Sequence, residues 1–420
     1  MTFVEIHVIQ NYAPSNLNRD ELGNPKTAIF GGMPRSRISS QCLKHAIRRS
    51  PVFIESLAPQ PLGTRSKQLP AIVQDALLKA NYTPELVNIA LKKLEFFFKN
   101  EPKQTIKKGK GKGKNAEEEP EAETGEETPS EEPAEEKEEE AITASSQLLF
   151  YSPAIVRAIT ETFQAVILDC KGDATAFNAI SPAAIQDQAG TAIQQMRAVS
   201  PDIALFGRMT TINDKVSVPV IPNIEAAVQV AHALSTHALE TEYDYYTAVD
   251  DLASGVGTDA RTQMIGDIAF TGSCYYKYAN IDVAGLCVNL RGKSHDVEAD
   301  KVAKTAALAF INGVIRVTPT GKQNSFAAFQ LPDAALIEVR ARPTPVSYAN
   351  AFAKPITNAG RGVVWNSIDH LARHANEMTR RFELTTIKRL WFTTSAAEGC
   401  TIPVGAIPCE TIGGILRTVL

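Results

Sequence analysis

An α+β chain, one open sheet interrupted by inserted helices, is what this sequence predicts, and three observations carry the expectation. Residues 3–10 alternate between apolar and polar side chains, residues 39–49 form a capped amphipathic helix, and strand-like runs return only late, at 267–281, 325–330 and 335–341. Such spacing of early and late strands suits a sheet whose middle is filled by insertions. It does not by itself settle topology.

In the first strand Val4, Ile6 and Val8 share one face and Glu5 and His7 the other, so one buried side is expected. A turn-rich basic loop follows, in which Gly31, Gly32 and Pro34 break the chain between Lys26 and Arg35. Such a loop lets backbone N–H groups, and Arg35 or Arg37, approach a polyanion closely. Ser39 is placed to cap the helix behind it, with Ile38 packing on Leu43 as a hydrophobic staple. Leu43, Ala46 and Ile47 then form an apolar stripe, while Gln41, Lys44, His45 and Arg48 project from the opposite side. That polar face reads as a phosphate-binding surface.

Helices are expected at 70–80 and 84–99, then from Ser152 and Pro153, as N-cap and first helical residue, through Leu168, and again over 181–199. Between them, residues 103–140 offer no apolar face, only a KKGKGKGK run and a Glu, Pro and Thr tract, which predicts a disordered surface loop. DIALFGRM (202–209) reads as a return to extended structure, and 213–249 as a projecting hairpin-like arm. The best strand, Asp267 to Ile281, is followed by a helix near 295–311, the strands at 325–330 and 335–341, and a helical C-terminal part.

Charge sharpens the picture. The 420 residues carry a net charge of −4, but residues 115–140 alone hold 14 acids and one Lys, which leaves 42 Lys and Arg against 33 acids elsewhere. A net of +9 over the other 394 residues suits a polyanionic partner. The six cysteines (42, 170, 274, 287, 400, 409) contain no C-x-x-C pair and no His spacing suited to zinc, which points to a reducing cytoplasm. No apolar run approaches the roughly 18 residues that a membrane span needs. G-x-x-x-x-G-K-[ST] and G-x-S-x-G motifs are missing, GVGTDA (255–260) is only a near miss to a dinucleotide loop, and His232, His237, Asp250 and Asp251 are expected to be structural. Neither a cofactor nor a catalytic centre is expected.

NRDELGNPKTAIFGG (18–32) followed by RISSQCLKHAIR (37–48) resembles the opening of the CasC family, the backbone subunits of type I-E CRISPR Cascade complexes. DIALFGRM, AHALSTHALETEYDYYTAVDD (231–251), YYKYANID (275–282) and GKQNSFAAF (321–329) resemble that family's later motifs in the same order, to about residue 355.

The resemblance implies an RRM-like (ferredoxin-like) palm at 1–60, resumed at 201–212 and 251–345, and a helical fingers insertion at 61–200. It also implies a thumb arm at 213–250, followed by a C-terminal part and tail at 346–420. Implied RNA contacts are Lys26, Gln41, Lys44, Arg48 and Lys322 for phosphate, with Arg19 organising the loop, and Met209, Tyr246 and Val249 beside a displaced nucleotide. Asn324 stands where the family often carries a second cation.

The implied partners are a CRISPR guide RNA, a target DNA strand and further copies of the chain. The large and small Cascade subunits, the guide 5′-end subunit and the guide-processing endoribonuclease would complete the assembly. Two alternatives stand beside this: a metal-dependent ribonuclease of the type III backbone kind, since Asp20 lies near the relevant kind of loop, and a general RNA-binding module.

Overall fold

The computed structural model describes residues 2–98, 145, 148–196, 199–210, 219–249, 262–291 and 296–420, with backbone alone at 248–249 and 262–265. The 103–140 loop, Asp250, Asp251 and GVGTDA lie outside the described residues. In the first half the elements are β1 (Phe3–Ser15), β2 (Thr27–Phe30), β3 (Met33–Ile38), α1 (Ser40–Arg49), α2 (Pro51–Leu57), β4 (Thr64–Ser66), α3 (Leu69–Lys79), α4 (Pro84–Phe96), β5 (Leu149–Tyr151), α5 (Pro153–Asp169), α6 (Ala174–Ala179), α7 (Pro182–Met196) and α8 (Pro201–Phe206). The second half adds β6 (Val228–Val230), β7 (Ala233–Ser235), β8 (Glu242–Val249), β9 (Thr262–Asp282), α9 (Val283–Arg291), α10 (Val297–Arg316), α11 (Gln323–Phe326), β10 (Ala334–Arg340), α12 (Val363–Arg381), β11 (Lys388–Thr393), β12 (Ile407–Pro408) and α13 (Ile412–Thr418).

The mixed α+β class is as predicted. One large sheet runs in the order β12-β11-β10-β1-β9-β7-β3-β2, with β6 and β8 also pairing with β9. β1 lies between β10 and β9, antiparallel to both, in registers centred on Ile6↔Ile337 and Ile6↔Ala279. Val4, Ile6 and Val8 pack beneath α2, α9, α10 and α13 in one core. Cys274, Tyr276, Leu336 and Trp391 pack under α12 on the opposite face. α3 to α7 and β5 close a separate core around Phe97, Phe163 and Phe177. No helix among the described residues is long and apolar enough to cross a membrane.

Several elements differ from expectation. Both faces of β1 are buried, since α12 and the 346–352 segment cover the side expected to meet solvent, and Glu5 and His7 are 0% exposed. Burial is tolerated because the charges are paired. Glu338 Oε2 accepts from Arg340 at 2.8 Å and from the Tyr348 hydroxyl at 2.9 Å, Glu338 Oε1 accepts from Arg389 Nε at 2.7 Å, and Glu5 pairs with Arg340 while accepting from the Tyr278 hydroxyl at 2.8 Å. His7 stacks on Tyr348 at 4.5 Å and shares a 2.8 Å hydrogen bond with the Tyr276 hydroxyl; burial pushes its pKa down to about 4, so it is neutral at pH 7. Ligand atoms of Glu5, His7 and Glu338 lie within 4.8 Å of one another, but the two guanidinium groups already hold the carboxylates.

The DIALF run is a helix, not a strand, because Ser200 adopts the extended N-cap backbone and Pro201 the first helical position, with Ile203, Ala204 and Leu205 buried. Residues 325–330 are likewise not a strand. The buried Gln323 side chain donates to Pro319 O and Ala328 O and accepts from the Ala328 N–H at 2.7 Å, which locks this stretch as a turn around α11. The AVQVAHALS segment belongs to the main sheet through β6 and β7, and the arm is instead the ribbon of β8 with the first half of β9. The C-terminal part is not simply helical: β11 and β12 extend the sheet, antiparallel and parallel respectively.

Candidate nucleic-acid interface

The basic loop between β1 and α1 is more ordered than a turn-rich stretch suggests. Asp20 Oδ1 accepts from the backbone N–H groups of Leu22 and Asn24, at 3.0 and 2.8 Å, and the Arg19 backbone bridges to Pro25 across the same loop. Asn18 Oδ1 accepts from the Ser39 N–H at 2.8 Å and ties the loop to the start of α1. Gly31 and Gly32, with φ of 59° and 78°, close the two-residue β2–β3 hairpin, and a Cβ at Gly31 would lie 1.8 Å from Ala353 O.

α1 begins as expected. Ser39 Oγ accepts from the Cys42 N–H at 3.2 Å, and Leu43, Ala46 and Ile47 are buried. His232 Nδ1 accepts from the Ser40 N–H at 3.0 Å, and its pKa is lowered by burial and then by the Arg37 and Lys26 charges, so it is a neutral structural group beside two cations. His237 is structural too, taking the Cys274 N–H on Nε2. Gln41, His45 and Arg49 are exposed, and Lys44 is half-buried with a pKa lowered by that burial.

Two expected cations are occupied by the fold. Arg35 is fully buried and donates to the carbonyls of Ser235, Thr236, Phe352 and Ala353, so it holds the hairpin against the sheet and cannot meet a polyanion. Arg48 pairs at 3.3 Å with the buried Asp202, whose carboxylate also accepts from the Gly63 N–H and the Ser200 hydroxyl. The Arg48 guanidinium also covers the Phe150 ring at 4.8 Å, and Arg65 covers that ring at 5.0 Å. Arg48 therefore joins α1 to α8 and β5 rather than standing free for phosphate. Arg37 is partly exposed and donates to Thr27 O at 3.0 Å.

The turn that carries Lys322 approaches the loop through its neighbour Gly321. Lys322 does not sit between strands, as expected, but between α10 and α11 in a left-handed conformation with φ of 51°. Gly321 brings it there: a Cβ at that position would lie 2.3 Å from Leu17 O, so only glycine permits the approach. A cavity of about 450 Å³ lies at this junction, lined by Arg19, Asp20, Cys42, His45, Thr320 and Gly321. Arg19 and Lys26 also share a shallower hollow with Glu21 and Leu22. Arg19, Lys26, Gln41, Lys44 and Lys322 are thus carried by three segments that meet at one corner.

Met209 is 89% exposed, which excludes the core role an isolated methionine usually has. It borders a second cavity of about 930 Å³ with Arg65, Leu148, Phe150, Arg208 and Asn223. Arg208 itself is buried, donating to Phe150 O and Pro222 O, and lack of solvent pushes its pKa down to about 10. On the arm, Tyr246 is 39% exposed with its ring against Gly266, and Val249 pairs with Thr262 at the end of β8. These residues are not on the Lys322 corner. Sequence reasoning missed Arg65, for which no local signal exists, and Tyr243, whose signal was the Glu-Tyr-Asp-Tyr alternation at 242–245.

A chain from a structure titled CRISPR RNA-guided surveillance complex, pre-nicking, is similar with a TM-score of 0.74 and 24% identity, covering 99% of this chain and 98% of that one. A second, titled CRISPR RNA-guided surveillance complex, has a TM-score of 0.65 and 20% identity over the same shares. No curated protein matches. The family model described as CT1975-like protein matches residues 4–406, and by that match the chain belongs to the CT1975-like protein family.

Proposed function

We propose that this chain is a non-catalytic backbone subunit of a type I-E CRISPR Cascade surveillance complex. Several copies bind along a guide RNA, grip its phosphates at the Arg19, Lys26, Gln41, Lys44 and Lys322 corner, and displace a nucleotide at regular intervals with Met209 and the arm. The nucleotides between pair with target DNA, so sequence is read by base pairing and the protein reads backbone and shape. The observation that carries this is the meeting of loop 17–23, the Cys42, His45 and Ala46 side of α1 and the 319–321 turn around one cavity, with Gln41, Lys44 and Lys322 on the same segments. Family membership, the CasC-like motif order and the similarity to two chains of surveillance complexes support it. The antiparallel β10-β1-β9-β7 order, with helices between the strands, supports the RRM-like description of the palm. Further copies and the other Cascade subunits are the remaining partners.

Replacing Lys26 and Lys44 together by alanine should weaken guide binding without loss of fold. With two phosphate contacts gone, the log–log salt slope should flatten by about 1.4 units, at roughly 0.7 per contact on single strands. An unchanged slope at matched stability removes this corner from the interface. Arg48→Ala should behave differently, lowering the melting temperature because Asp202 is left buried without its cation.

Asp20 Oδ1 is engaged in its own turn, a structural role that supports the non-catalytic reading over the ribonuclease. Guide-loaded assemblies given complementary RNA and Mg²⁺ should leave that RNA intact. Periodic cleavage that disappears in Asp20→Ala would establish the type III reading instead.

A further inference from the structure

The arm carries an aromatic pair on the face opposite Tyr246. Side chains of β8 alternate, so Tyr243 and Tyr245 share one face, and they are 67% and 64% exposed. Their cross-strand neighbours on β9 are Ala269 and Asp267, neither large enough to cover a ring. Same-face residues along a strand stand roughly 6.8 Å apart. Stacked bases rise roughly 3.4 Å each, so the gap between two such rings matches one base with a ring on either side.

Charge decides which part of a nucleotide fits. Residues 238–249 and 262–272 contain Glu240, Glu242, Asp244 and Asp267 and no Lys, Arg or His. Phosphate is repelled there, whereas an uncharged aromatic base is not. The root of the arm is continuous with the basic corner: Asn16 Nδ2 donates to Gly23 O at 2.9 Å and to Ala269 O at 3.0 Å, and Phe270 packs on Phe326 at 5.7 Å beside the Lys322 turn. A strand held by its phosphates at the corner therefore has an aromatic, phosphate-excluding surface next to it.

We propose that Tyr243 and Tyr245 form a nucleobase clamp in which one unstacked base of single-stranded RNA inserts between the two rings. The clamp rests on the RNA-binding role proposed above and adds base-stacking contacts on a face that role does not use. The division of labour is chemical, with cations at the corner holding phosphate and tyrosines on the arm holding a base.

The test uses the full chain and single-stranded RNA carrying 2-aminopurine, in a short form that admits one copy and a long form that admits several. Wild type should bind the short form with quenching of the probe. Tyr243→Ala with Tyr245→Ala should weaken that binding about 5- to 100-fold, as expected for losing base–aromatic stacking, remove the quenching and leave the salt slope unchanged. Tyr243→Phe with Tyr245→Phe should stay within about twofold of wild type, since stacking needs the ring and not the hydroxyl. Equal binding and quenching in wild type and the alanine variant overturn the clamp and leave the RNA-binding role standing. A loss confined to the long form also overturns it and assigns the tyrosines to contact between copies. Failure of wild type to bind either RNA overturns the role itself.

Discussion

Glu338→Ala should destabilise the isolated chain by about 3–5 kcal/mol, the usual effect of removing one member of a buried ion-pair network. Glu338 is 0% exposed and takes Arg340, Arg389 and Tyr348 on its two oxygens. Without it, Arg389 keeps the carbonyl of Val404 and the hydroxyl of Thr379, but no carboxylate. Burial alone would raise the Glu338 pKa; His7, once protonated at low pH, and the permanent charges of Arg389 and Arg340 outweigh it and hold the carboxyl below its usual range. Urea unfolding of wild type and variant at pH 7 measures the difference. A change below about 1 kcal/mol, the level of an exposed pair, would mean that water reaches this site. Because β10 and β11 both anchor here, the loss should appear as whole-sheet destabilisation rather than as local opening of α12.

Lys277→Met should abolish a rise of stability with pH. Lys277 lies on β9 opposite Val8, is 3% exposed, and donates at 2.8 Å to Val314 O in the last turn of α10. Burial pushes its pKa down to about 7 from an ordinary 10.5. The unfolded chain therefore holds a proton between those values that the folded chain has released. Unfolding takes up that proton, so stability rises with pH across the window, by up to about 1.4 kcal/mol per unit from this group. Below about pH 7 both states are protonated and the slope from this lysine vanishes. Urea midpoints of wild type should climb from pH 7 to pH 9 relative to the methionine variant. Parallel curves would show that the α10 terminus, whose carbonyls favour a cation, keeps the ammonium charged in the fold.

The features that sequence carried best are those set by local chemistry. Ser39, Ser152 and their following apolar stripes marked helices because capping and amphipathic spacing act within a turn or two. What failed depended on distant partners. Ile203, Ala204 and Leu205 form an apolar run too short for periodicity to separate helix from strand. Glu5 and His7 looked like a solvated face because Arg340 and Tyr348, which make their burial tolerable, come more than 330 residues later.

The candidate site divides the same way. Gln41 and Met209 are exposed and Lys26 and Lys44 half-buried, whereas Arg35 and Arg48 are held by carbonyls and by Asp202 that no local pattern reveals. In the C-terminal part, β11 and β12 were hidden because their pairing with β10 supplies the order that their own sequences lack.

β9 has a mechanical consequence. Its 21 residues, roughly 70 Å at about 3.3 Å per residue, begin in the arm beside β8 and end in the middle of the main sheet beside β1. A push on the arm is thus delivered along one uninterrupted backbone to the strand that leads into loop 17–26, as a lever delivers load to its fulcrum. The arm beside Glu242–Thr247 and the strand before loop 17–26 are two neighbours of one continuous strand, so the spacing between the two parts of the proposed RNA surface is set by a single backbone.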